Sequence, residues 1–149
     1  MTAKFTLLIT LIMLSGLGIN TMGYEQKIDV FHELQADEYG GLYVEGNIIH
    51  VNIVTGKENL VPSIDRPDVV YHEVDYTLAD LENMKRELQP LMGEFSIQEL
   101  GIDTKLNRLS ITLYKADDDE RQRLDQWLNE RGAGSMCVVT ETEYEVVLQ

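Results

Sequence analysis

The chain has 149 residues, with 26 acidic residues against 12 basic ones and a formal net charge of −14. Such a charge repels phosphate backbones, so we exclude nucleic acid as a partner and expect a soluble protein that favours cationic partners. The single cysteine, Cys137, cannot form an internal disulfide. Its apolar, strand-like surroundings predict a buried small side chain, while a disulfide-linked dimer and a reactive thiol remain alternatives.

The amino terminus has the pattern of a secretory signal. Lys4 precedes the apolar run Phe5–Ile19, and no acidic residue occurs before Glu25. The run is shorter than the roughly 20 residues that a membrane-spanning helix needs. We predict cleavage after Gly23, which makes residues 1–23 the signal peptide. An uncleaved membrane anchor is the alternative, and it is the one route by which we expect the chain to meet a membrane.

The remainder, residues 24–149, has the length of one domain with its own core. Ile28, Phe31 and Leu34 recur at helical spacing and predict an amphipathic helix ending near Ala36. The next segment, YGGLYVEGNIIHVNIV, contains two strand-like runs joined at Gly46-Asn47, which predicts a hairpin.

Proline and glycine divide the following stretch into a loop and a strand–helix unit. Polar residues with Gly56, Pro62 and Pro67 indicate a long loop over Thr55–Pro67. Val69–Val74 is β-branched and aromatic, as expected of a strand. Thr77 and Asp80 then form a capping-box pattern at the start of a helix. Pro90 lacks an N–H and clashes with the preceding turn, so this helix should kink or end near it.

A second hairpin and a second helix follow. Ile97–Ile102 and Arg108–Leu113 are predicted strands, and the alternation in the latter requires one buried face. Asp117, with Glu120 three residues later, predicts the start of a helix that ends at Gly132. The region Met136–Leu148 is again rich in β-forming residues.

This order of elements predicts an α+β fold. We expect an antiparallel sheet with two helices on one face, a ferredoxin-like βαββαβ arrangement preceded by a helix and a β-hairpin. The early hairpin either extends that sheet or forms a small second one. Apart from this twofold order of elements, no internal repeat is apparent.

Residues that could carry chemistry are scattered. His32, His50 and His72 have no neighbour at metal-ligand spacing, so we predict no metal site. His72 alternates with Val70 and Val74 and is interpreted as a half-buried, hydrogen-bonded structural residue. The same interpretation applies to His50.

Other catalytic and binding motifs are also absent from the sequence. Ser135, in GAGSM, lacks the glycine that a nucleophile elbow requires. The run Asp117–Glu120 lacks the spacing of a calcium loop and is interpreted as helix capping. The glycines Gly40, Gly41 and Gly46 precede no helix that could bind a phosphate. We therefore predict a protein with no cofactor and no catalytic activity.

Three segments together resemble a known family. They are EYGGLYVEGNIIHVNIV, VVYHEVDYTLADLENMKRELQPL and LGIDTKLNRLSITL, within Glu38–Leu113. The residues that carry the resemblance are Gly40, Gly41, Leu42, Tyr43, Gly46, Asn47, Tyr76, Leu78, Leu81, Gly101, Ile102, Asp103, Asn107 and Arg108. In these segments the chain resembles the pro-domains of secreted chymotrypsin-like bacterial serine proteases, of the α-lytic protease and streptogrisin type.

The resemblance implies a function for the carboxy-terminal segment. Pro-domains of this family assist the folding of their protease and stay bound as inhibitors, with the tail in the active-site cleft. No protease sequence follows here, so we expect such a role only in trans. The candidate partner-binding tail consists of Tyr144, Val146, Val147, Leu148 and Gln149. It could add a strand to a partner and present its carboxylate like a reaction product.

Two alternatives remain for the tail and its partner. Val146, Val147 and Leu148 have the composition of a strand that completes the domain's own sheet. The partner is either a secreted serine protease or another extracellular protein, in which case the chain is a binding module at the cell surface.

Overall fold

The computed structural model describes residues 31–144, which contain two three-stranded sheets and two α-helices. The first sheet is formed by β1 (Leu42–Glu45), β2 (Ile48–Val54) and β3 (Val69–Val74). The second is formed by β4 (Ile97–Asp103), β5 (Arg108–Tyr114) and β6 (Cys137–Thr142). The helices are α1 (Leu78–Leu88) and α2 (Asp118–Glu130). The predicted α+β class is confirmed.

Both sheets have the same mixed topology. In each, two antiparallel strands form a hairpin, and the third strand lies parallel to the second, in the orders β1-β2-β3 and β4-β5-β6. A parallel neighbour requires a crossover of about a dozen residues or more. Residues 55–68, with a 3₁₀ turn at Glu58–Leu60, provide the first crossover, and the segment that contains α2 provides the second.

Both helices begin at capping boxes, as predicted. Thr77 accepts the Asp80 N–H at 3.0 Å, and the Asp80 carboxylate accepts the Thr77 N–H at 3.0 Å. Asp117 and Glu120 make the same reciprocal pair at the start of α2. These bonds satisfy amide groups that have no partner inside a helix. The helix α1 ends before Pro90, where the chain continues as a 3₁₀ turn, Gln89–Leu91.

The larger core lies between the helices and one face of the second sheet. Leu109, Ile111 and Leu113 alternate along β5, so their side chains share this face. The helix α1 adds Met84 and Leu88 to the core, and α2 adds Leu124 and Leu128. Both helices therefore contribute side chains to the core on one face of this mixed sheet.

The ferredoxin-like order with one antiparallel sheet is not confirmed. The elements from β3 to β6 follow the predicted order, but β3 pairs with β2, with Val69 opposite Ile49. The strand β6 lies parallel to β5. The early hairpin, β1 and β2, thus lies in the first sheet, separate from β4, β5 and β6, and a separate sheet was one of the two alternatives left open by the sequence. The alternation of side chains determines which face of a strand is buried but not which strand lies beside it.

The predicted first helix is not confirmed in the part that the structure describes. Residues before 31 lie outside the described range, and residues 32–38 form turns and irregular backbone. Phe31 is buried in the core of the first sheet, and Leu34 packs against that core. The carbonyl groups of Ala36 and Tyr39 accept the N–H groups of Ala79 and Leu78. The segment therefore packs on the first sheet and contacts the start of α1.

The predicted loop before β3 is tied to that strand. Tyr71 accepts a hydrogen bond from the Ile64 N–H at 2.9 Å and donates one to the Pro62 carbonyl at 2.8 Å. Val61 is buried in the core of the first sheet. This loop therefore packs on the sheet through both its side chains and its backbone.

Buried asparagines join the two sheets. Asn52 on β2 donates to the Thr104 carbonyl at 2.7 Å, next to the second hairpin. Asn107 accepts the Tyr76 N–H at 2.9 Å and donates to the Tyr76 carbonyl at 2.8 Å. A methyl group at Gly40 would lie 2.6 Å from Cγ2 of Val74 and 2.9 Å from Cβ of Asn52, so only glycine fits there.

Candidate protein-interaction edge

The strand β6 forms one edge of the second sheet. It pairs with β5 in parallel register, from Cys137 opposite Leu109 to Thr142 opposite Tyr114. Within residues 31–144 no strand lies on its other side. Val138 and Val139 remain 37% and 39% exposed, which is high for β-branched residues in a sheet. An uncovered edge with such residues is suited to pairing with another strand.

The backbone direction shows which groups of β6 are free to pair. The Met136 carbonyl accepts the Leu109 N–H at 2.9 Å, so it points toward β5. Backbone groups that face one neighbour recur at every second residue of a strand. The N–H and C=O groups of Val138 and Thr140 therefore face β5, whereas those of Val139 and Glu141 face the free edge.

Side chains on the two faces of β6 have different surroundings. Cys137 packs against the larger core, and burial raises the pKa of its thiol to about 11. Such a thiol is protonated at neutral pH and is a weak nucleophile. On the outer face, the hydroxyl of Thr140 lies 3.4 Å from that of Thr112 on β5. The outer face of β6, which points away from the core, is therefore polar next to the exposed Val138.

A groove of about 220 Å³ separates β6 from α2. Its lining residues are Leu113, Arg121, Leu124, Asp125, Val139, Thr140 and Glu141. Arg121 forms ion pairs with Asp118 and with Glu141, which ties the helix to the edge strand. The Nε atom of Arg121 is buried and has no hydrogen-bond partner among the described residues. The groove therefore combines an apolar floor with a guanidinium group directly beside the free edge.

Only one residue of the predicted partner-binding tail lies in the described range. Tyr144 is 81% exposed, and its N–H donates to the Thr142 hydroxyl at 3.1 Å. This bond turns the chain just after the last residue of β6. The residues Val146, Val147, Leu148 and Gln149 lie outside the described residues, as does the predicted signal peptide.

The structure brings together two histidines that the sequence analysis treated separately. His50 Nδ1 lies 2.7 Å from His72 Nε2, and both side chains are half-buried. The interpretation of His72 as a half-buried, hydrogen-bonded residue is confirmed. From the sequence, strand alternation could show only on which face of its own strand each histidine lies. The pairing of β2 with β3 was needed to make them neighbours.

The other residues considered for chemistry have local partners. The Ser135 hydroxyl lies 2.6 Å from that of Tyr76. Asp117 and Glu120 cap α2, as predicted. Across residues 31–144 there is no group of three or more His, Cys, Asp or Glu side chains that could hold a metal ion. No helix in the same range is long and apolar enough to cross a membrane.

Several of the residues on which the sequence resemblance rests have structural roles in the fold. Gly40 and Asn107 lie where the two sheets meet, and Gly46 occupies the hairpin turn with a φ of 60°. Arg108 lies over the Tyr76 ring at 5.0 Å and pairs with Asp75. No protein-family model matches the chain, and no curated protein matches it.

Proposed function

We propose that this protein is an exported, non-catalytic binding protein that contacts a secreted serine protease through β6 and its carboxy-terminal tail. The observation that supports the proposal is the edge of β6, which no strand covers within residues 31–144 and which carries two exposed valines shortly before the exposed Tyr144. Bound in this way, the protein acts in trans as an inhibitor or as a folding assistant of the protease.

Strand addition explains how such an edge would bind. An extended partner segment that pairs with β6 gains main-chain hydrogen bonds from the N–H and C=O groups of Val139 and Glu141. Side chains of the added strand alternate, so every second one would face α2. The groove beside Arg121 would then accept these side chains and contribute to specificity.

The choice of a protease as the partner rests on the sequence resemblance. The resemblance covers Glu38–Leu113 and therefore includes the hairpins of both sheets. The net charge of −14 favours a partner with a basic surface and repels nucleic acid and anionic lipid.

A proline at the free edge tests the proposed contact. Val139→Pro removes an N–H that faces away from β5, so it removes a donor for the added strand and no bond of the native ladder. Val139→Thr keeps the N–H and is the matched control. The purified chain and both variants would be titrated against secreted serine proteases, with binding and residual protease activity measured. We expect the proline variant to bind at least tenfold more weakly and the threonine variant to bind like the original chain.

Removal of Val146–Gln149 tests the tail separately from the edge. If the tail enters the active-site cleft, the shortened chain loses inhibition while circular dichroism shows the same fold. Full inhibition by the shortened chain would show that these residues serve another purpose. Binding of the original chain to other extracellular proteins, with no protease bound, would instead establish the cell-surface module.

A further inference from the structure

The histidine pair on the first sheet is held edge to edge. In the parallel register of β2 and β3, His72 lies opposite Asn52, and His50 is two residues before Asn52 on the same face. The ring centroids are 5.0 Å apart and the ring planes differ by 20°. With Nδ1 of His50 only 2.7 Å from Nε2 of His72, the two rings are nearly coplanar and point these nitrogens at each other.

Tyr43 orients this pair from the neighbouring strand. It lies opposite His50 on β1, and its ring is stacked at 4.6 Å with an angle of 5°. Its ring is also 6.2 Å from that of His72 and nearly parallel to it. Since three strands contribute one ring each, the positions of both imidazoles are determined by the sheet.

The hydrogen bond requires one proton between the two nitrogens. One ring donates an N–H, and the other offers a lone pair. If the donor ring is instead in its other tautomer, its proton lies on the nitrogen that faces away from the pair. Both facing nitrogens then present lone pairs. Both rings remain neutral in this arrangement, and neutral imidazole is a preferred ligand of zinc, copper and nickel ions.

We propose that His50 and His72 together bind one divalent transition-metal ion, such as Zn²⁺, between Nδ1 of His50 and Nε2 of His72. Zinc binds imidazole nitrogen at about 2.0–2.1 Å, so two such bonds at a tetrahedral angle would place the nitrogens about 3.3 Å apart, and both rings would rotate to widen their present separation of 2.7 Å. Within residues 31–144 no third His, Cys, Asp or Glu completes a ligand group, so water would have to fill the remaining positions around the ion.

The charge of the molecule favours this binding. A protein with a net charge of −14 attracts cations, and it does so more strongly at low ionic strength. The site lies on the first sheet, whereas the proposed protease contact lies on the second. The two proposals can therefore be tested independently.

Isothermal titration of the purified chain with Zn²⁺ tests the site. We expect one ion per chain, and an affinity that falls at least tenfold in His50→Gln and in His72→Gln. Glutamine preserves hydrogen-bonding capacity, and circular dichroism verifies the fold of each variant. The matched control is His32→Gln, because His32 is exposed and outside the pair. This control should bind Zn²⁺ as tightly as the original chain.

A second measurement uses the original chain, so that it tests the metal site without any substitution. Addition of Zn²⁺ should shift the imidazole ¹⁵N resonances of His50 and His72 and leave those of His32 in place. The proposal is overturned if neither ring responds to millimolar Zn²⁺, or if His50→Gln and His72→Gln bind as tightly as the original chain.

Discussion

Asn107 combines two properties at the residue scale. Its backbone has a φ of 53°, a left-handed conformation that asparagine tolerates better than most residues. Its side chain, which is 1% exposed, makes the reciprocal pair of hydrogen bonds with the Tyr76 backbone. One residue therefore ends the turn before β5 and links that turn to the chain between β3 and α1.

Substitutions of Asn107 should separate these two properties. Asn107→Gly keeps the favourable conformation but leaves the Tyr76 groups without their partner, so we expect a loss of about 1–3 kcal/mol in unfolding free energy. Asn107→Ala should lower the unfolding free energy by a further amount of about 1 kcal/mol or more, because alanine is strained in a left-handed backbone conformation. Urea denaturation measures both, with Asn59→Ala, at an exposed position, as the control. Equal losses in the two variants would show that conformation contributes little.

The thiol of Cys137 provides a prediction about pH. Burial raises its pKa from 9.0 to about 11, so the folded chain should carry about a hundredfold less thiolate at pH 8 than the unfolded chain. Iodoacetamide should modify the folded protein correspondingly slowly, and the rate should rise with pH toward 11. Because the folded-state pKa is the higher one, the associated stability is present below pH 9 and is lost as pH rises toward 11. The alkylation rate in denaturant is the reference, and equal rates would contradict the protection expected from the half-buried position of Cys137.

At the scale of elements, local polar groups determine where the helices begin. Each α-helix starts at a capping box, and the acidic run Asp117–Glu120 lies at the positive end of the α2 dipole. The two-residue turn at Gly46-Asn47 joins β1 to β2 as predicted. These features depend on residues within one turn of each other, which explains why sequence patterns identified them.

Asp117→Ala tests the cap of α2. The variant loses the bond to the Glu120 N–H, and we expect a cost of about 1 kcal/mol in unfolding free energy. Asp125→Ala removes an equal charge from the exposed face of the same helix and serves as the matched control. Thermal and urea denaturation of both variants distinguish the cap from a general effect of charge. A similar cost for both would argue against capping.

On the scale of the whole molecule, a buried hydrogen bond and an exposed ion pair join the two sheets. Asn52 reaches the turn of the second sheet, and Lys105 in that turn pairs with Glu45 on β1. The exposed pair adds little stability, whereas the buried amide bond adds more because its loss leaves polar groups without partners. The sheets are thus coupled through the junction near Gly40.

We expect this junction to make unfolding cooperative. The amides of β2 and β5 should exchange with solvent through one common opening, with similar free energies. Asn52→Ala should lower the protection of both strands by a similar amount, about 1–3 kcal/mol. Hydrogen exchange measured by NMR follows each strand separately, with Asn59→Ala as the control. Loss of protection in β2 alone would indicate that the sheets unfold independently.

The sequence by itself determined the α+β class, the helix caps, the hairpin turn and the end of α1 near Pro90. Each depends on neighbours along the chain, such as Thr77 with Asp80. The tertiary structure alone decided that β3 pairs with β2, that His50 lies beside His72 and that β6 is an edge strand within residues 31–144. These features require contacts between residues distant in the chain. The alternation that identifies a strand's buried face carries no information about which strand will satisfy its backbone hydrogen bonds.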